Sequence, residues 1–274
     1  MDPLYRSLRI TALVLAGLLG SEVRGADGHL AQNPGFAALV QDGIAVGDAT
    51  LKLPLPSMPD GEDGAAQAET IEGIIAGAHP ANRFFRESVV SPHVLLMEQS
   101  VVGGVPVRYA DAYFVCYGDL DVISDRGFFE QILNSSEGDD TLDDGGATLT
   151  PAELASRDIQ VGTDYEEHEA YAHGSYTLVT RVRIHGTVRS YWSRTPDSLV
   201  AALVLDDRFT DDAAYANYWQ SLSRDDAGNE VVGPAQPYQG MGLYLKITRL
   251  AEPEGALFCE WHTVFAEPEG WFDG

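Results

Sequence analysis

The sequence predicts an α+β fold, a mostly antiparallel sheet of six or seven strands carrying two or three short helices. Three observations lead there. Val94 to Val102 and Val105 to Tyr117 are apolar runs joined only by Gly103-Gly104, and such a loop marks a hairpin because its tight turn needs positive φ. Ser175 to Ser193 alternates apolar and polar residues, as a strand with one buried and one wetter face does. Helical periodicity appears only in short stretches.

Taken in order, the first 26 residues stand apart. Arg6 and Arg9 precede an uncharged apolar run, Ile10 to Gly20, and Val23-Arg24-Gly25 follows. That is the order of a secretory signal. The run is about half the roughly twenty residues a bilayer-spanning helix needs. Residues 1–25 are therefore expected to be a signal peptide. Residues 26–274 are expected to be a single exported domain, periplasmic or extracellular, with no membrane span after cleavage.

Residues 26–42 are small and polar and read as irregular. Ile44 to Leu55 alternates loosely, as one strand or two short ones, until Pro54, Pro56 and Pro59 stop regular pairing. Ala68, Ile71, Ile74, Ile75 and Ala78 share one face of a helix over Ala65 to Ala78, with Asp63 as its cap. Val105 to Tyr117, apolar on both faces apart from Arg108 and Asp111, reads as a central strand. A second helix over Ser124 to Leu133 turns Phe128, Phe129, Ile132 and Leu133 inward, and Asn134 to Gly146 is an acidic loop. Thr150-Pro151-Ala152-Glu153 combines a threonine cap, a first-turn proline and a glutamate at the third position, which opens a third helix.

Ser175 to Ser193 reads as one strand, with Val182, Ile184, Val188 and Trp192 on one face and Arg181, Arg183, His185, Thr187, Arg189 and Tyr191 on the other. Thr195-Pro196-Asp197-Ser198 turns the chain into Leu199 to Leu205. Asp206 to Pro237 reads as a long polar loop. Gly242 to Leu250 and Ala256 to Ala266 pair around Glu252-Pro253-Glu254-Gly255.

Forty-two acidic residues face seventeen basic ones, a formal net charge of −25. Such a surface repels nucleic-acid phosphates and anionic membranes. The two cysteines, Cys116 and Cys259, lie in apolar strand-like segments. Export makes a disulfide chemically accessible, while buried free thiols suit the same setting. No G-x-S-x-G elbow, P-loop, G-x-G-x-x-G or C-x-x-C occurs.

Asp119, Asp121 and Asp125 follow a strand end, where metal or catalytic carboxylates often sit, but read as a polar turn capped by Ser124. Three other constellations could carry chemistry. His168 and His173, within Glu166 to His173, are five residues apart; the zinc-protease pattern needs four for both imidazoles to share a helical face. Asp139, Asp140, Asp143 and Asp144 resemble a Ca²⁺ loop ahead of Glu153. If Glu153 is the twelfth ligand, however, Leu142 falls at the first and Ala147 at the sixth, where glycine is needed. Those four aspartates are the candidate metal ligands, for weak Ca²⁺ binding in another geometry, and no other cofactor is expected. The third is the arginine row: Arg181, Arg183, His185 and Arg189 on one strand face, with Glu260 and His262 sharing a face of the last strand as candidate neighbours. Guanidinium groups fork carboxylate and phosphate, so these six residues form the candidate ligand site.

Gln236-Pro237-Tyr238, Tyr244 to Pro253 and Glu267 to Gly274 are similar to segments of exported bacterial proteins of unassigned function, and the similarity extends back to Val105. The resemblance implies no activity and no catalytic residues. It implies that such proteins continue past Gly-Trp-Phe-Asp-Gly with a C-terminal helix. On that basis the domain is expected to be shortened and one sheet face partly uncovered around Trp271 and Phe272. The helix–strand order also resembles, at the level of fold alone, an incomplete helix-grip fold that holds apolar ligands under a long terminal helix.

Two functional classes remain. One is a non-catalytic binding or scaffold module, with an apolar pocket or an arginine-lined face for a small ligand or protein partner. The other is a metal-dependent hydrolase using the acidic and histidine residues. The lack of any nucleophile motif or cofactor fingerprint favours the first.

Overall fold

The computed structural model describes residues 28–46, 49–88, 91–123, 147–162, 165, 168–178, 181–238, 240–268 and 271. The expected signal peptide, the helix over Ser124 to Leu133 and the loop carrying Asp139, Asp140, Asp143 and Asp144 lie outside these residues.

Gly103 and Gly104, at φ 58° and 84°, close a hairpin between β3 (His93–Val102) and β4 (Val105–Tyr117). β4 is paired on its other side with β13 (Ala256–Ala266), as its two-faced apolar pattern requires. β13 turns back on β12 (Met241–Arg249), β12 pairs with β8 (Ser198–Leu205), and β8 with β7 (Val182–Arg194). β6 (Glu169–Leu178) covers the far edge of β7 and ends the sheet with β5 (Ala147–Thr148). All these pairings are antiparallel.

The class is α+β and mostly antiparallel sheet, but the expected six or seven strands are too few. Eleven strands form the main sheet among the described residues, and β1 (Ile44–Val46) with β2 (Ala49–Leu51) adds a small second one. Two misreadings explain the shortfall. The alternation from Ser175 to Ser193 is not one strand: the chain reverses between Leu178 and Val182, which are registered with each other. Both arms keep period two, and no glycine or proline marks the turn. The supposed loop Asp206 to Pro237 contributes β9 (Tyr218–Arg224), β10 (Glu230–Val232) and β11 (Gln236–Pro237).

β7 is longer than either partner on its inner edge. Val188 to Arg194 pairs with β8, whereas Val182 to His185 pairs with β9, so the sheet forks at Gly186-Thr187. Buried Asn217 fills the fork. Its Oδ1 accepts from Thr187 N at 2.8 Å and its Nδ2 donates to Asp206 O at 2.6 Å. One side-chain amide thus replaces the missing backbone partner of both strands.

The segment expected to be irregular, 26–42, holds α1 (Gly28–Ala31), α2 (Pro34–Ala37) and a π turn over Ala38–Asp42. Asn33 Oδ1 accepts from Phe36 N at 3.0 Å, and Pro34 occupies the first turn. Phe36 and Leu39 then pack on Val200, Ala202, Tyr244 and Val264. Gly35 permits this approach, because a Cβ there would lie 2.6 Å from the Tyr191 ring. α3 (Gly64–Ile75) is capped by Asp63 as expected, but ends sooner because Ala76 and Gly77 turn left-handed, at φ 30° and 87°. Its Ile71 and Ile75 pack with Met58, with Phe84 of α4 (Ala81–Phe84), and with Val94, Tyr113, Val115 and Phe258.

Among the described residues the remaining helices are α5 (Leu120–Ile123), α6 (Pro151–Ala155), opened by the expected capping box of Thr150 and Glu153, and a 3-10 turn over Asp207–Phe209. Trp271 is buried, stacked on Tyr238 and Phe265 and edge-on to Trp219. The exposed large apolar side chains include Leu95, Leu96, Met97 and Val101 of edge strand β3 and Trp261 of β13. No helix among the described residues is long and apolar enough to cross a membrane.

Candidate functional site

Strand alternation places Tyr244 and Lys246 of β12, and Phe258, Glu260 and His262 of β13, on one face of the sheet. Register completes the row across the strands: Glu169, Tyr191, Ala202, Tyr244, His262 and Asp111 lie side by side. Lys246 stands opposite Glu260, which stands opposite Tyr113. The chain from Leu53 to Asp60, outside any strand or helix, crosses this face and is pinned there. Tyr244 Oη donates to Pro54 O at 2.8 Å, and Ser57 N and Met58 N donate to the Glu260 carboxylate at 2.7 and 3.1 Å. Lys246 Nζ donates to Met58 O and pairs with Asp60 Oδ1 at 2.8 Å.

Lys246 and Glu260 are fully buried, so the charges must be compensated in place. Burial alone would raise the Asp60 pKa, but the Lys246 ammonium and the Ser198 hydroxyl outweigh it and hold the carboxyl below its ordinary value. His262 Nδ1 is 2.8 Å from Asp111 Oδ1, and its Nε2 is 3.8 Å from Glu260 Oε2. Burial disfavours the imidazolium, but the two carboxylates prevail and raise the His262 pKa. Tyr113, edge-on to His262, is pushed up to about 12, first by burial and then by Asp111.

Ser198, His29 and Asp60 also meet here, with His29 Nε2 3.2 Å from Ser198 Oγ and His29 Nδ1 3.7 Å from Asp60 Oδ2. The residue types are those of a nucleophile, base and acid, but the protons run otherwise. Ser198 Oγ donates its one proton directly to Asp60 at 2.7 Å, so His29 Nε2 is the donor to Ser198, not its base. Ser198 is also fully buried. The trio anchors the crossing segment.

The six candidate ligand residues do not form one site. Glu260 and His262 lie beneath the crossing segment, three strand spacings from β7, about 14 Å. Arg181 is exposed and precedes β7. Arg183 pairs with Glu230 at 3.0 Å, and His185 stacks on Tyr218 with centroids 4.3 Å apart. Arg189 borders a cleft. The cleft has a volume of about 310 Å³ and is lined by Gly35 and Ala38 together with Arg189, Tyr191, Val204, Asp206, Asp207 and Arg208.

In that cleft Arg189 lies over the rings of Tyr191 and Tyr171, 4.6 and 5.4 Å from their centroids. Its Nε donates to Glu169 at 2.5 Å. Its Nη groups make no hydrogen bond among the described residues. Arg208 is oriented by Asp206 and donates through Nη2 to Tyr171 Oη at 2.7 Å. Burial and Glu169 act oppositely on Arg189, with Glu169 prevailing, and Asp206 raises Arg208. Both groups stay cationic at any working pH. Among the described residues no three histidine, cysteine, aspartate or glutamate side chains gather as metal ligands.

Sequence reasoning missed Lys246, Asp60, Tyr171, Tyr191 and Arg208 as parts of these two places. Lys246 carried a signal, as a lysine inside an apolar strand of a chain with only two lysines. Arg208 carried none, because its segment read as loop. No protein-family model matches the chain, and no curated protein is similar to it.

Proposed function

We propose that this chain is an exported, non-catalytic binding module whose ligand is a small organic acid held by Arg189 and Arg208. Export rests on the pattern of Met1 to Ala26. The observation that carries the binding reading is the state of Arg189. Its Nε and ring contacts fix the guanidinium, while its Nη donors border a cleft of about 310 Å³ with no protein partner among the described residues. A planar fork held by aromatic rings, its Nη donors without an acceptor among the described residues, suits a carboxylate. Asp206 and Glu169 orient the two arginines, and Val204, Gly35 and Ala38 offer apolar wall to a short carbon skeleton. The volume admits only a small molecule. The buried acid–base cluster around Lys246 supports the non-catalytic reading, since Lys246, Asp60, Glu260 and Tyr244 are bonded to the chain itself.

The test is calorimetry and thermal shift with succinate, citrate and inorganic phosphate, with sorbitol as a neutral control. At least one carboxylate is expected to bind and stabilise the protein. Arg189→Gln and Arg208→Gln are each expected to weaken that binding about tenfold or more, equivalent to about 1.4 kcal/mol. Equal stabilisation by sorbitol, no binding of any acid, or unaltered binding by both variants would overturn the reading.

A further inference from the structure

Cys116 of β4 and Cys259 of β13 are the only cysteines in the chain, and they lie on neighbouring strands. Cys116 is registered with Leu257 and Cys259 with Phe114, so the two thiols share a face and meet diagonally across the pair. Their Sγ atoms are 3.5 Å apart. They are unequal in access: Cys259 is buried, Cys116 only half-buried. Both pack with Leu120 and Ile123 of α5.

We propose that Cys116 and Cys259 are a covalent modification site, oxidised to an intramolecular disulfide by exchange with a small-molecule disulfide of the glutathione class. The exchange runs in two balanced steps. The Cys116 thiolate attacks one sulfur of the reagent, forming a mixed disulfide and expelling one thiolate. The Cys259 thiolate then attacks Cys116 Sγ, forming the protein disulfide and expelling the second. Two electrons pass from the cysteines to the reagent, and the two protons lost by the cysteines are matched by those taken up by the released thiolates.

Cys116 is the entry point on two grounds. It is the reachable sulfur, and the hydrogen bond with Cys259 lowers its pKa while that same bond, with burial, raises that of Cys259. The resolving sulfur is already in contact, so closing the bond asks for only about 1.5 Å of approach to reach the S–S length. Diagonal neighbours stand farther apart than most bridged residues. The bond therefore draws β4 toward β13, and an excess of thiol reopens it.

The test is thiol titration and intact mass on the purified, folded protein after exposure to oxidised glutathione. The wild type is expected to lose both free thiols and the mass of two hydrogen atoms, to keep no adduct, and to regain both thiols in dithiothreitol. Cys259→Ser is expected to stop at a glutathione adduct on Cys116, and Cys116→Ser to stay unmodified. A wild type that retains both thiols, or ends as a stable glutathione adduct, overturns the proposal. Should Cys259→Ser fail to fold, non-reducing peptide mapping of the oxidised wild type decides the matter: a linked peptide pair containing Cys116 and Cys259 supports the site, and its absence overturns it.

Discussion

Lys246 is one of only two lysines in a chain with forty-two acids, and it is fully buried. Removing an ammonium from water costs several kcal/mol, so its position is tenable only because Asp60 Oδ1 and Met58 O meet it. Deleting one partner leaves the other charge buried. Lys246→Met is expected to cost about 3–5 kcal/mol by urea denaturation, and Asp60→Asn a similar amount. The double variant is expected to cost less than the sum, because the pair is coupled. A Lys246→Met loss under about 1 kcal/mol, the range of an exposed pair, would show that the pair does not hold the crossing segment. The cluster was half legible in the sequence. Lys246 and Glu260 break the apolar alternation of β12 and β13 on the same face, so a polar row there could be read from spacing. Asp60 and Ser57 could not, because a proline-rich segment carries no period that says which sheet face it crosses.

At the scale of elements, the hairpins with glycine or proline turns were readable, and those without were not. Gly103-Gly104 and Thr195-Pro196-Asp197-Ser198 both announce their turns. The β6–β7 reversal falls inside an unbroken alternation, so two arms look like one strand. The fork between β8 and β9 was hidden for a different reason. It depends on Asn217, whose amide bonds two backbones distant in sequence, and no local pattern encodes that. Asn217→Leu removes both bonds and leaves the Thr187 N–H and the Asp206 carbonyl without them in a buried place. The expected loss is about 2–5 kcal/mol, each group contributing about 1–3 kcal/mol. Hydrogen exchange gives the sharper readout: the Thr187 amide should lose protection while those of β12 and β13 keep theirs. Equal protection at Thr187 in both proteins would mean that the fork is held by its strands alone.

For the whole molecule, charge and burial set opposite limits on the pH range of stability. Asp60 has a folded pKa below its ordinary 3.8, so its contribution is present above that value and is lost as pH falls through the folded one. Asp212, held at about 2 first by its hydrogen bond with Arg157, acts in the same direction between pH 3.8 and 2. His262 is the reverse case. Its folded pKa lies above 6.5, so its contribution is complete below 6.5 and is lost as pH rises through the folded value. Repulsion within a chain of net charge −25 sets in as the carboxylates ionise at about pH 4 and persists above it, so it lowers the whole upper limb. The stability maximum is therefore expected on the mildly acid side, between about pH 4 and 6.5. Salt separates the two causes of the upper limb. Surface repulsion is screened at about 0.5 M salt, where the Debye length is only a few ångströms. The buried contacts of His262 with Asp111 and Glu260, flanked by Tyr113 and Tyr244, are not. In high salt the wild type should still lose stability above neutral pH, and His262→Asn should be nearly flat there while keeping the acid limb. Parallel wild-type and variant curves in that range would show that His262 does not set the upper limit, leaving surface repulsion as the cause.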